Sequence, residues 1–193
     1  MNKLIAVGMM VLGVLTGTLN AAEPVKIAKG EAVVVYFSWS PDGNTRFAAK
    51  TIAAKLGAQT FEIKAAKAYS SDYRTCCIES KPECYAKKQR EIHLIEGLDL
   101  AKYKVIFVGT PNWWGTMAPP VRTWIMQNSA GLNGKTVCLF QTHGGGGMQR
   151  VEKEFSELVS HSNILPAQAF FGSSIKDNVK ELEKFVTDRV TVK

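Results

Sequence analysis

Three short stretches of the chain hold residue types that bind ligands rather than fill a core. Ser38 to Arg46 reads SWSPDGNTR. Ser38, Ser40, Asn44 and Thr45 bring short hydrogen-bonding side chains around Trp39. Gly43 lets backbone N–H groups turn inward, and a helix opening near Asn44 aims its positive dipole end at the same spot. That set can hold a phosphate, although a plain helix cap on a Pro-Asp-Gly turn uses the same residues. It is neither the lysine-bearing GxxxxGK[ST] loop nor GxGxxG. Thr110 to Pro120 reads TPNWWGTMAPP. Flat rings at Trp113 and Trp114, set among Pro111, Asn112 and Gly115, suit the stacking of a planar heterocycle, and two adjacent side chains cannot both turn to the core. Thr142 to Arg150 reads THGGGGMQR, where the glycines from Gly144 onward bare the backbone N–H groups to a ligand edge.

Each stretch follows an apolar run. Unbroken runs occur at Ala32 to Phe37, Lys104 to Gly109 and Thr136 to Phe140, with weaker ones at Ala58 to Ile63 and Ala167 to Phe171. Continuous rather than alternating apolarity is what a strand covered on both faces requires. Helical spacing lies between them, at Ala48, Ile52 and Leu56, at Val121, Trp124 and Ile125, at Val151, Phe155, Leu158 and Val159, and at Val179, Leu182 and Val186. Five strands alternating with helices predict a three-layer, doubly wound α/β domain with a five-stranded parallel sheet. Ligands of such sheets bind beyond the carboxyl ends of the strands, where all three stretches fall. A phosphate cradle, an aromatic clamp and a bare hydrogen-bonding backbone together describe a site for flavin mononucleotide (FMN).

Residues 64–99 break the rhythm and read as a polar insertion, with one short helix expected around Tyr85 to Ile92. The insertion carries Cys76, Cys77 and Cys84. Bridging the neighbours Cys76 and Cys77 needs a strained eight-membered ring, so the expected disulfide joins Cys84 to Cys76 or to Cys77 across the turn-forming ESKPE. The leftover thiol would stand beside a disulfide, able to exchange with it. No histidine stands at zinc-ligand spacing from these cysteines, so no metal site is expected. Cys138, inside TVCLF, reads as an inert core residue.

With "YFS…GNT" after the first strand and "G.P.WWGTM.PPV" after the third, the sequence resembles the flavodoxin family, and especially its flavodoxin-like oxidoreductase branch, from about Val33 to Val186. The resemblance implies a flavodoxin-like three-layer sandwich that binds FMN without a covalent bond. It places Ser38, Ser40, Asn44 and Thr45 at phosphate-loop positions, Pro111 to Gly115 in the first isoalloxazine loop and Thr142 to Gly145 in the second. The sequence departs from the family pattern at Pro41 and Asp42, inserted before Gly43. An inward Asp42 would repel a phosphate, so it is expected to face solvent.

In this reading the Gly144 and Gly145 amides stabilise negative charge at the pyrimidine edge of the ring. His143 either donates there as a catalytic group or caps its own turn, and Trp113 or Trp114 walls the acceptor pocket. The function expected is an FMN-dependent oxidoreductase delivering electrons to a quinone-like or other small acceptor, with a one-electron shuttle for a redox protein partner as the alternative.

Residues 1–22 place Lys3 ahead of an apolar run from Leu4 to Leu19 and small residues at Ala21 and Ala22, the pattern of a cleaved secretory signal peptide. A periplasmic or secreted domain over residues 23–193 is therefore expected, with no stable membrane insertion after cleavage. The formal charge of +7 is dispersed and accompanied by no nucleic-acid motif, so nucleic acid is not an expected partner. Family carriers are typically acidic, and a pI near 9.2 reverses their charge complementarity.

Overall fold

The strand Ala32–Tyr36 is buried at every position, and its side chains divide by parity. Val33 and Val35 enter one core cluster with Ile106, Val108, Val137 and Leu139. Val34 and Tyr36 enter another with Phe107, Cys138 and Phe140. Two cores on two faces of one sheet are the physical reason for the unbroken apolar runs. The computed structural model describes residues 23–193; the signal peptide assigned to residues 1–22 lies outside them.

In chain order the elements are β1 (Val25–Ile27), β2 (Ala32–Tyr36), α1 (Asn44–Leu56), β3 (Gln59–Glu62), α2 (Tyr73–Tyr85), β4 (Val105–Trp113), β5 (Thr116–Met117), α3 (Pro119–Gln127), α4 (Ser129–Leu132), β6 (Thr136–His143), α5 (Val151–Leu158), β7 (Asn163–Phe171), α6 (Val179–Thr187) and β8 (Val190–Val192). The main sheet has the order β3-β2-β4-β6-β7, and all of these pairs are parallel. Helices α1 and α6 cover one face through Ile52, Leu56, Leu182 and Phe185. Helices α3 and α5 cover the other through Val121, Trp124, Val151 and Phe155. The expected doubly wound sandwich is therefore present. From β2 the chain crosses to β3 on one side and to β4 on the other, which opens a crevice at their carboxyl ends.

Several boundaries differ from the sequence reading. Strand β4 runs on to Trp113 because β5 folds back on it as an antiparallel hairpin, pairing Asn112 with Met117 and Trp113 with Thr116. Pro111, Asn112 and Trp113 are thus strand residues, as are Thr142 and His143 at the end of β6. Strand β7 begins at Asn163 rather than Ala167. Its register shifts between the partners of Cys138 and Phe140, which lets an edge strand absorb Pro166. A short parallel pair, β1 with β8, was not foreseen.

The insertion is the largest correction. Its helix spans Tyr73–Tyr85 and ends where a helix was expected to begin. Asp72 starts it, accepting from Thr75 N–H at 2.8 Å and Thr75 Oγ1 at 2.7 Å. The helix runs through Pro82, which the sequence reading took as a turn. All four cysteines are free, so the bridge of Cys84 to Cys76 or Cys77 is absent. Helical rise explains why: residues seven or eight apart lie about 10–12 Å apart along the axis, beyond the roughly 7 Å Cα limit for a disulfide.

Candidate functional site

The phosphate end of the crevice is built by the turn between β2 and α1. Gly43 N–H donates to Ser40 O at 2.8 Å, closing a four-residue turn with Pro41 and Asp42 at its centre. Gly43, with φ of 64°, is the N-cap residue of α1 and supplies no side-chain acceptor of its own. Asn44 N–H reaches Ser40 Oγ at 3.3 Å. Behind this turn the Thr45 and Thr142 hydroxyls share a buried 2.7 Å hydrogen bond that ties α1 to β6. Ser38 Oγ is buried and has no partner. A helix start whose N-cap residue offers no side-chain acceptor, with an unpartnered hydroxyl in the loop that leads to it, fits an anion of phosphate size. Asp42 is exposed to solvent, and both it and Pro41 also line the cleft. Arg46 pairs with Glu62 on β3 at 2.6 Å, which leaves the turn itself to hydroxyl and N–H donors.

The aromatic wall comes from the β4–β5 hairpin. Trp114 and Gly115 form its two-residue turn with φ of 55° and 77°. This left-handed pairing matches the twist of a hairpin but costs a non-glycine residue about 1–2 kcal/mol. Trp114 Nε1 donates to Ser80 Oγ of α2 at 3.2 Å, and its ring lies 6.0 Å from that of Tyr85 with Lys81 Nζ 5.1 Å from its centre. Trp113 points the other way, edge-on to Tyr69 at 4.8 Å and to Phe37 at 5.6 Å, with Trp39 at 6.2 Å. The adjacent rings therefore face opposite sides and both border one cleft. Trp39 is fixed by donation from Nε1 to Ser70 O at 2.9 Å.

The glycine loop after β6 closes the third side. His143 Nδ1 accepts from Gly145 N–H at 3.0 Å, so the neutral ring carries its hydrogen on Nε2. His143 thus caps its own turn, and the Gly145 amide, expected to face the pyrimidine edge, is already committed. Gly144 lines the cleft; Gly145 does not. Asn112 Nδ2 at 2.8 Å and Gln141 Nε2 at 2.5 Å both donate to Gly147 O, which anchors the loop to the sheet.

These residues enclose a cleft of about 590 Å³, within the roughly 300–1,000 Å³ typical of small-molecule sites. Trp39, Ser40, Asn44, Thr45, Pro111, Asn112, Trp113, Trp114, Thr142, His143 and Gly144 line it. Ser38, Gly43, Gly115 and Gly145 do not line it. Two groups of lining residues were missed. Gly172 and Ser173 follow β7, a fourth carboxyl-end loop whose Gly-Ser-Ser composition could have flagged it; a side chain at Gly172 would sit 2.8 Å from Asn44 Nδ2. Ser71, Tyr73, Cys76, Cys77 and Ser80 come from the insertion, where no apolar periodicity marked a helix.

The insertion is held by ionic contacts. Glu83 accepts from Tyr69 Oη at 2.5 Å and pairs with Arg90 at 2.6 Å, and Arg90 lies 4.2 Å over the Tyr69 ring. Burial first, then the Glu83 carboxylate, push the Tyr69 phenol above its usual range. Below the hairpin, buried Arg122 pairs with Glu154 at 2.5 Å and donates to Lys88 O at 2.9 Å, joining α3 and α5 to the insertion.

None of the curated proteins compared matches the chain. Solved structures do. A putative flavoprotein from Bacteroides uniformis is 27% identical with a TM-score of 0.65, covering 80% of this chain and 98% of its own. A Lactobacillus acidophilus flavoprotein solved in complex with FMN is 22% identical with a TM-score of 0.64, over 77% and 97% of the two chains. The two-electron reduced flavodoxin of Megasphaera elsdenii is 17% identical with a TM-score of 0.51, over 80% and 96%. The flavodoxin family model matches residues 31–186, from the start of β2 to the last helix, and so takes in every strand end that forms the cleft. On that match the chain belongs to the flavodoxin family.

Proposed function

We propose that the chain is an electron-transfer flavoprotein that binds FMN non-covalently in the strand-end cleft and delivers electrons to a small, planar, quinone-like acceptor. One observation carries the cofactor assignment: the cleft joins an anion-fitting end, lined by Ser40, Asn44 and Thr45 at the start of α1, to an aromatic end at Trp113 and Trp114. FMN supplies the redox chemistry of its isoalloxazine ring when bound. The Lactobacillus acidophilus relative, solved with FMN, supports the same cofactor.

The chain's own residues bind, orient and exclude water. Ser40 and the first-turn N–H groups of α1 hold the phosphate, and the Thr45–Thr142 pair keeps that end rigid. Trp114, held by Ser80, supplies a flat wall whose outer part stays accessible to an acceptor. The Gly144 N–H offers a donor to the ring's polar edge, and His143 holds the turn that presents it.

An exposed aromatic rim favours the second reading, a shuttle docking on a redox protein: Tyr73 is 72% and Tyr85 62% exposed. The two readings separate by acceptor. Chemically reduced holoprotein should consume a soluble quinone in two-electron turnovers faster than it reduces a one-electron protein acceptor of similar potential. Turnover with the protein acceptor alone would select the shuttle. Export through the leader at residues 1–22 belongs to the same proposal, and recovery of processed protein from the periplasm or medium tests it.

A further inference from the structure

Basic residues gather outside the cleft, beside its aromatic edge, where the end of α2 meets the β4–β5 hairpin and the start of α5. A hollow of about 170 Å³ opens there, with Tyr85, Lys87, Arg150 and Lys153 around it. Lys81 joins them, its Nζ 5.1 Å from the centre of the Trp114 ring and 5.9 Å from that of Tyr85. Arg150 Nη2 donates to Trp114 O at 3.1 Å, which ties the same patch to the hairpin turn. Trp114 therefore borders both the patch and the cleft.

The positive charge of this patch is not cancelled within the chain. Among the described residues Lys81, Arg150 and Lys153 are in no ion pair. Lys87 meets only Glu157, at 3.9 Å with both side chains more than half exposed, and so open a pair contributes little. The other carboxylates of α2 and of the hollow are engaged: Glu79 accepts from Ser70 N–H, Glu83 pairs with Arg90, and Glu154 pairs with Arg122. Four cations thus face solvent around two exposed aromatic rings, Tyr85 and Trp114.

The surroundings select among anionic occupants. A small free anion is opposed in the depth of the hollow, because Glu154 lines it and the Arg122 that balances Glu154 does not. An anionic membrane calls for side chains free to enter lipid, whereas Trp114 is tied by Nε1 to Ser80 Oγ and roofed by Lys81. An acidic protein meets neither obstacle. Its carboxylates reach the cations at the rim, and its apolar surface covers Tyr85 and the open part of Trp114.

We propose that this patch is the docking surface for an acidic redox protein, whose carboxylates pair with Lys81, Lys87, Arg150 and Lys153 and which thereby rests against the Trp114 edge of the cleft. One electron crosses per encounter, so a two-electron change of the flavin takes two partner molecules, each changed by one electron. The crossing rests on the FMN reading above; the docking does not.

Cytochrome c and its succinylated form, in which carboxylates replace the lysine ammoniums, present one haem protein with opposite charge. Each is titrated at low salt into the FMN-free, ¹⁵N-labelled protein and followed by NMR. The succinylated form should bind about tenfold more tightly or better, shift the Trp114 Nε1–H and the amides of Lys81, Tyr85, Gly115 and Lys153, and lose its advantage at high salt. K81E/K153E should weaken that complex about tenfold, while K50E/K180E, the same charge change on α1 and α6 across the sheet, should weaken it less than about twofold. Equal affinity for the two cytochromes, shifts centred elsewhere, or equal loss in both variants overturns the docking surface. Binding to phosphatidylglycerol vesicles that K81E/K153E abolishes, without preference between the cytochromes, replaces the acidic protein by a membrane and overturns the proposal. Chemically reduced holoprotein should reduce the succinylated haem faster than the native one at low salt, and a rate no faster overturns electron crossing at this face. If the protein binds no FMN at all, the cofactor reading fails, while the NMR map and the charge preference still decide the docking surface.

Discussion

The floor and the wall of the cleft are built on different principles. The floor is made by strand ends and the first turn of α1, and it is fixed by a buried hydroxyl pair, Thr45 with Thr142, and by two side-chain amides holding Gly147 O. The wall is α2, which carries three buried residues on thirteen positions and is fastened by charge: Glu83 to Arg90 and Tyr69, and Arg122 to the Lys88 carbonyl. The floor cannot move without breaking the sheet, whereas the wall can be loosened one ion pair at a time. A rigid floor suits a cofactor, and a detachable wall suits exchange of whatever reacts with it.

The largest expected effect breaks both regions together. Glu154 and Arg122 side chains are 6% and 3% exposed, so Glu154→Ala leaves a buried unpaired guanidinium and should cost about 3–5 kcal/mol. At roughly 2–4 °C per kcal/mol for a chain of this size, thermal unfolding shows it clearly. Burial alone would raise the Glu154 carboxyl, but the Arg122 guanidinium, the Thr116 hydroxyl and the Met117 N–H hold it below its usual 4.5. Its stabilisation is therefore complete above about pH 4.5 and disappears as pH falls through the lowered folded value. Glu154→Gln should flatten that acid limb of the stability curve.

Next in size, Glu83→Ala separates wall from floor. Hydrogen bonds to charged groups contribute about 1.5–3 kcal/mol each. Hydrogen exchange should speed up across α2 while β2, β4 and β6 keep their protection. Uniform loss of protection would show that wall and floor are one cooperative unit.

Thr45→Val acts on the floor alone. It orphans the Thr142 hydroxyl at a cost of about 1–3 kcal/mol and should weaken FMN binding about tenfold, with α2 exchange unchanged. Affinity equal to that of the unmodified protein would reduce the Ser40 to Thr45 turn to a helix start. The smallest effect belongs to Asp42→Asn. An exposed rim charge should change stability by less than about 0.5 kcal/mol, and FMN affinity should rise slightly at low salt and not at high salt.

The same contrast governs what the sequence discloses. The floor could be read because each of its parts follows an unbroken apolar run, such as Ala32 to Phe37, that burial on both faces makes unmistakable, and because the residues just beyond are small, polar or aromatic. Even there the count of strand residues was short: Pro111 to Trp113 extend β4 only because Thr116 and Met117 fold back as β5, a pairing that two residues cannot announce. The wall was misread because α2 is polar on most faces. Pro82 argued for a turn, and the Asp72 cap that starts the helix lies in a run of serines and tyrosines that reads as loop. The disulfide expectation failed for the same reason, since it assumed a turn where the chain builds a helix. His143 shows a finer limit: its residue type allowed donor or cap, and only the position of the Gly145 N–H selects the cap.

The central claim is that this strand-end cleft takes FMN by phosphate and ring together. Parallel fluorescence titrations of the protein with FMN and with riboflavin test it most directly. The account predicts one FMN per chain at micromolar or tighter affinity, flavin emission quenched by the tryptophan wall, and markedly weaker binding of riboflavin, which lacks the phosphate. Equal affinity for the two ligands, or no quenching at micromolar FMN, would contradict it.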